Sequence, residues 1–156
     1  MTSEAFRNDP LFLRNQFEGE GTFQIPIVKK QHISLEQLKF IGYDHIKSDE
    51  RENKDSVVHF FLDDYKFEVL WNHPEPRLEK LKQYKAVLTP QYSLYTEMPI
   101  TLQIYNTFRN RWVGAYLQSN GIAVIPTMCW GEPQSFWFCF DGVEVGSFVA
   151  VSSDLI

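Results

Sequence analysis

The chain has 156 residues, 44% hydrophobic and 15% aromatic, which suits one compact domain with its own core and excludes a disordered chain. Its net charge is −5 and its pI near 5.3, whereas a domain that grips phosphates carries a basic excess, so nucleic acid is an unlikely partner. Cys129 and Cys139 form no CxxC pair and read as reduced, buried thiols; with no signal-peptide core and no run near the roughly 20 apolar residues of a membrane span, the expected location is the cytoplasm, with no membrane partner.

Residues 1–55 read as an N-terminal arm packed on a main domain of residues 56–156. Within the arm, Phe23–Val28 ("FQIPIV") reads as a short strand, and Pro26 assigns it to an edge. Ser34 followed by Gln37 matches a capping box and predicts a short helix over Leu35–Phe40. Lys47–Asp55 mixes charges of both signs and reads as a solvated loop.

From Ser56 the pattern becomes regular. Val57–Asp64 is a β-branched and aromatic run. Lys66–Tyr84 is helical at both ends, and His73-Pro74-Glu75-Pro76 must interrupt it because proline removes a donor and clashes with the preceding turn. Lys85–Pro90 is a second apolar run. Pro99–Gln118 predicts a long helix stopped by Asn120-Gly121. Ile122–Pro126 is a third run, Pro133–Phe140 a short helix, Asp141-Gly142 a turn, and Ser147–Ser153 a fourth run.

Strands alternate with helices, and the runs are continuous rather than alternating. That predicts an α/β fold: parallel strands covered on both faces, joined by right-handed βα crossovers. Four such units make half of an eight-fold βα-barrel or a small open sheet, and the sequence leaves both open. The fourth run has no helix after it to cover its face. A homodimer, a second chain, or the remainder of a longer protein is the expected cover.

On the long helix, Arg109 lies beside Tyr105, Trp112 and Tyr116, where it can stack without any ligand. Arg111 is about 200° further round, so the two arginines do not form one basic patch. Tyr105, Phe108, Trp112 and Ala115 are the face expected to pack on the sheet, and Asn106 and Asn110 share a side.

Chemistry in α/β folds collects beyond the carboxyl ends of the strands. Those positions hold Asp63 and Asp64, then Thr89–Ser93, then Thr127–Glu132, then Ser152, Ser153 and Asp154. Candidate catalytic groups are Asp63, Asp64 and Glu132, which could act as an acid/base pair or hold a hard cation. The alternative is that they cap the following helices. Candidate ligand-binding residues are Gln91, Tyr92, Ser93, Arg109, Trp130 and Ser152. His32, His45, His59 and His73 show no metal spacing, so a divalent metal has no motif behind it, and no Walker, GxGxxG or GxSxG motif is present.

The "LTPxxS" turn, the helix "NTFRNRWVGAYLQ", and the runs "VIPTMCW", "FCFDG" and "VAVSS" together resemble the domain-of-unknown-function family 4417, over about residues 57–153. The family is met in bacteriophages and mobile elements of Gram-positive bacteria and carries no agreed activity. The resemblance implies a bacteriophage or mobile-element setting, so the cytoplasm expected above is that of the host cell. Similar proteins often carry an acid after "LTP", where this chain has Gln91, and they tend to continue past the fourth strand. Three functions follow as expectations: a binding protein holding a small ligand or a host protein at the strand-end rim, with counter-defence as one such role; a hydrolase using the strand-end carboxylates, with or without a divalent metal; or a nucleic-acid-associated protein using Arg109, Arg111 and the exposed lysines.

Overall fold

A computed structural model describes residues 1–152. Two short helices open the chain, α1 (Ser3–Arg7) and α2 (Pro10–Leu13), each capped by a side chain, Thr2 and Asp9. Strands β1 (Gly19–Glu20) and β2 (Ile25–Pro26) pair antiparallel in a small hairpin. Then come β3 (Lys39–Gly42), β4 (Ser56–His59), α3 (Glu68–Asn72), α4 (Leu78–Leu81), β5 (Ala86–Leu88), α5 (Ile100–Ser119) and β6 (Val124–Ile125).

β3, β4, β5 and β6 form one parallel sheet in chain order. The α/β class expected from the continuous apolar runs is the fold observed. Val57, Val58, Ala86 and Val87 are fully buried, as strands covered on both faces require.

Two expectations are corrected. The helix over Leu35–Phe40 does not form. Gln37 adopts a left-handed conformation (φ 51°), which ends any helical turn there, and Lys39–Gly42 pairs along Ser56–His59 as β3. The sheet therefore begins inside the segment read as the arm. The fourth run is not a strand: among the described residues it makes one parallel bridge, Ala150 to Thr127, closed by Ala150 N–H to Pro126 O (2.9 Å) and Met128 N–H to Ala150 O (2.8 Å). Ser153 and Asp154 lie outside the described residues.

The proline pair acts as expected. α3 ends at Asn72, and a 3-10 turn over Glu75–Arg77 separates it from α4. α5 spans about 30 Å. Gly121 (φ 82°) ends it, with Gly121 N–H on Gln118 O and Ile122 N–H on Leu117 O, and with Leu117 and Ile122 both buried. This is the double hydrogen-bond stop that glycine after a helix permits.

α5 packs very close to the sheet. A Cβ added to Gly114 would lie 2.6 Å from Thr89 Cγ2 and 2.8 Å from Val28 Cγ2. Trp112 is fully buried, with Trp71, Phe17 and Tyr116 around it, and Arg14 is sandwiched between Trp71 and Trp112 at 3.7 and 4.2 Å. The face expected to pack on the sheet does not meet it: Trp112 packs on Trp71, Phe17 and Arg14, and Tyr105 is exposed. The helix meets the sheet through Gly114, about 200° round from Trp112, and Gln103, Asn106, Thr107, Arg109, Asn110 and Arg111 are buried as well.

By strand alternation and register, Ile41, Val58, Val87 and Val124 share the face toward α5. Phe40, His59, Leu88 and Ile125 share the other. There they floor a trough of about 620 Å³, walled by Leu35, Leu38, Phe61 and residues 148–151, with no helical residue in its lining.

Candidate functional site

The segments following β4, β5 and β6 meet at one rim, as parallel strands dictate. The polar side chains of α5 hold them together. Asn106 Nδ2 donates to Ser93 O (2.7 Å), Asn110 Nδ2 to Pro90 O (2.9 Å) and Thr127 O (3.3 Å), and Gln103 Nε2 to Met98 O (2.8 Å). Thr89 Oγ1 accepts from Thr127 N–H at 2.7 Å. Buried backbone carbonyls must find donors, and here a helix supplies them from its side chains.

The arginines point to opposite sides, as the helical wheel expects. Arg109 pairs with Glu68 (2.7 Å), donates to Asn106 Oδ1 (2.7 Å), and lies over Tyr92 (3.9 Å) and Tyr105 (4.9 Å). Arg111 is 2% exposed. It donates to Asp141 O (2.9 Å), Cys139 O (2.7 Å), Thr127 O (3.3 Å) and Asn110 Oδ1. Burial pulls its pKa down to about 10, which leaves it a cation at neutral pH. Both guanidiniums are engaged inside the protein, away from any phosphate.

The carboxylates divide. Asp64 accepts from both the N–H (2.9 Å) and the hydroxyl (2.8 Å) of Ser93, tying the segment after β4 to the one after β5. Asp63 is exposed and stands before the 3-10 turn Asp64–Lys66. Glu132 is exposed and stands before the 3-10 turn Pro133–Trp137, its carbonyl taking the Ser135 N–H and hydroxyl. Both acids occupy helix-start positions, but neither side chain makes a cap hydrogen bond. Among the described residues, no three of His, Cys, Asp or Glu gather closely enough to hold a metal ion.

The remaining rim candidates are largely spoken for. Gln91 Nε2 reaches Cys129 Sγ at 3.6 Å. Tyr92 is buried, its hydroxyl on Phe67 O (3.4 Å), and burial pushes that hydroxyl well above its ordinary range. Burial also raises the Cys129 and Cys139 thiols, which keeps them protonated and weakly nucleophilic. Ser152 follows the Ala150 bridge at the end of the described chain.

Trp130 is different. It is 38% exposed, in tilted contact with Phe140 (6.4 Å), which contacts Phe136 (5.6 Å). These three rings form an aromatic ledge along the rim. Sequence reasoning singled out Trp130 but missed Phe136 and Phe140. The signal was in "FWFCF": five residues in and after a short 3-10 turn cannot all face inward, and Phe138 and Cys139 take the buried places.

Residues 17–156 match the family model described as Domain of unknown function (DUF4417). The chain belongs to that family. The match takes in much of the segment read as the arm, consistent with β3 lying in the sheet. This DUF4417 chain is 45% identical over 145 residues to the Gene 1 protein of Mycobacterium phage L5, covering 93% of this chain and 63% of that one. It is 51% identical over 97 residues to the Gene 1 protein of Mycobacterium phage D29, covering 62% of this chain and 36% of that one. The chain thus spans less than two thirds of the length of these curated relatives. No solved structure matches it. No helix among the described residues is long and apolar enough to cross a membrane.

Proposed function

We propose that this chain is a bacteriophage accessory protein that acts in the host cytoplasm by holding a host protein against the aromatic ledge of the strand-end rim. The supporting observation is how the rim divides its side chains. Asp64, Ser93, Gln91 and Arg109 spend their polar groups on one another or on neighbouring residues, while Trp130, Phe136 and Phe140 stay exposed. Exposed aromatics are costly in water, and Trp and Tyr are enriched among the residues that dominate binding energy at protein interfaces. A small-molecule site surrounds most of its ligand; rings this exposed suit a broad partner surface better.

The phage setting of the relatives fits a target in the host. The rigid brackets from α5 would present the ledge with little ordering cost on binding. The test is affinity capture from host lysate, identification of the retained protein, and calorimetric titration of the purified pair. Trp130→Ala with Phe136→Ala should weaken binding at least a hundredfold, about 2.7 kcal/mol or more for the pair. Asp63→Ala should stay within twofold. The reverse pattern would overturn this reading and return attention to the strand-end carboxylates.

A further inference from the structure

The second face of the sheet is closed at its amino-terminal end, where Val57 and Ala86 are fully buried, and opens only toward its carboxyl end. There Gly42, His59, Leu88 and Ile125 stand in one row by register, one from each strand. Leu88 and Ile125 are 1% and 5% exposed yet line the trough, whereas Leu35, Phe40 and Val151 along it are about half exposed. The trough is therefore concave. A flat partner surface would rest on its edges, while a slender molecule can reach its floor. Its volume of about 620 Å³ lies within the range of roughly 300–1,000 Å³ that small-molecule sites occupy. With strands about 4.8 Å apart, the row from β3 to β6 is about 14 Å long. We propose that this trough binds a slender, uncharged apolar molecule carrying one hydroxyl group, of the alkylphenol or long-chain alcohol class, with the hydroxyl held between His59 and Asp44.

The lining sets the body of the ligand. Every lining side chain except His59 is apolar, so a charged group inside would give up its hydration with nothing to replace it. The β3 end sets the head. His59 Nδ1 accepts the Phe61 N–H (3.3 Å), so the neutral ring carries its proton on Nε2, and burial lowers its pKa, which favours that neutral form. Among the described residues, Nε2–H finds no acceptor. The β3 member of the row is a glycine, and a Cβ there would stand 3.6 Å from His59 Nε2 and 2.6 Å from Asp44 Oδ1. A free donor and a carboxylate thus face the same small space beside Gly42. Lys66, 3.5 Å from Oδ2, and the exposed His45, 3.8 Å from Oδ1, hold that carboxylate in place. A hydroxyl oxygen serves both groups, accepting from Nε2–H and donating to Asp44. A carboxylate head would meet Asp44 with like charge.

This site shares no residue with the aromatic ledge, so the two readings stand or fall independently. The experiment is calorimetric titration of the full chain with 4-hexylphenol and with its charged counterpart 4-hexylbenzoate. The variants are Phe40→Asp, Ala150→Phe and His59→Phe, with Trp130→Ala/Phe136→Ala as control, and thermal unfolding of each establishes that it folds. The expected result is one wild-type site for 4-hexylphenol with a dissociation constant on the order of tens of micromolar. 4-Hexylbenzoate should bind at least tenfold more weakly. Phe40→Asp and Ala150→Phe should each weaken the phenol at least tenfold, His59→Phe about tenfold, and the control not at all. A wild type that takes up no 4-hexylphenol overturns the inference; if it then sediments as a dimer that Phe40→Asp dissociates, the occupant is a second copy instead. Binding indifferent to Phe40→Asp and Ala150→Phe overturns it too, since the phenol then sits elsewhere. So does a benzoate that binds as well as the phenol, or a phenol indifferent to His59→Phe, because the hydroxyl is then not what the site reads.

Discussion

Replacing Arg111 by methionine keeps a long apolar stem and removes the guanidinium that fastens residues 127–141 to α5. The carbonyls of Cys139 and Asp141 then lose the hydrogen bonds they take from it at 2.7 and 2.9 Å, in a site where the side chain is 2% exposed. Each buried acceptor left without a donor costs about 1–3 kcal/mol, and Asn110 Oδ1 loses a partner as well. Removing a charge that burial has already destabilised gives part of this back. The net expectation is about 3 kcal/mol, a large share of the 5–15 kcal/mol that holds an ordinary domain together. Arg111→Lys should be nearly as harmful, because one ammonium cannot reach carbonyls spread round the edges of the planar guanidinium. Urea unfolding followed by tryptophan fluorescence reads the loss as a midpoint about 1–2 M lower. A methionine variant within 1 kcal/mol of wild type would refute the view that Arg111 is the clamp of the rim.

Four further outcomes are expected. Trp112→Ala, at a fully buried ring packed by Trp71, Phe17 and Tyr116, should cost about 3–5 kcal/mol by the same unfolding assay. Gly142→Ala should destabilise by more than about 1 kcal/mol, since φ is 82° and the new methyl would collide with Pro26 O. Burial pushes the Glu50 carboxyl up, but the Tyr84 hydroxyl (2.9 Å) and the N–H groups of Glu52 and Asn53 outweigh it, so its pKa lies below the usual 4.5. Its contribution is present above that value and lost as pH falls through the depressed folded pKa, and Glu50→Gln should flatten that acid limb in a series of thermal melts. His59 is depressed by burial, with Asp44 opposing and His45 adding, and Lys66 pairs with Asp44 at 3.5 Å; stability is present above the ordinary 6.5 and lost as pH falls below it, a limb that His59→Gln should remove between pH 7.5 and 5.

Local chemistry wrote some of this molecule directly. The Pro74–Pro76 break, the stop at Asn120-Gly121, the length of α5 and the parallel character of the β-branched runs all depend on neighbours in the chain, so the sequence displays them. The opposed arginines follow from helix geometry alone. Other features were decided by residues far apart. Ser34 and Gln37 carry a helix-start signal, yet four residues of pairing with β4 make Lys39–Gly42 a strand; long-range pairing overrode a weak local preference. Asp63, Asp64 and Glu132 look alike in the sequence, and only the approach of Ser93 separates Asp64 from the other two. The buried polar stripe of α5 reads in the sequence as an imperfect amphipathic face. The fold supplies the reason: the segments beyond β5 and β6 bring carbonyls without ladder partners against the helix, and a buried carbonyl must be given a donor wherever the chain can find one.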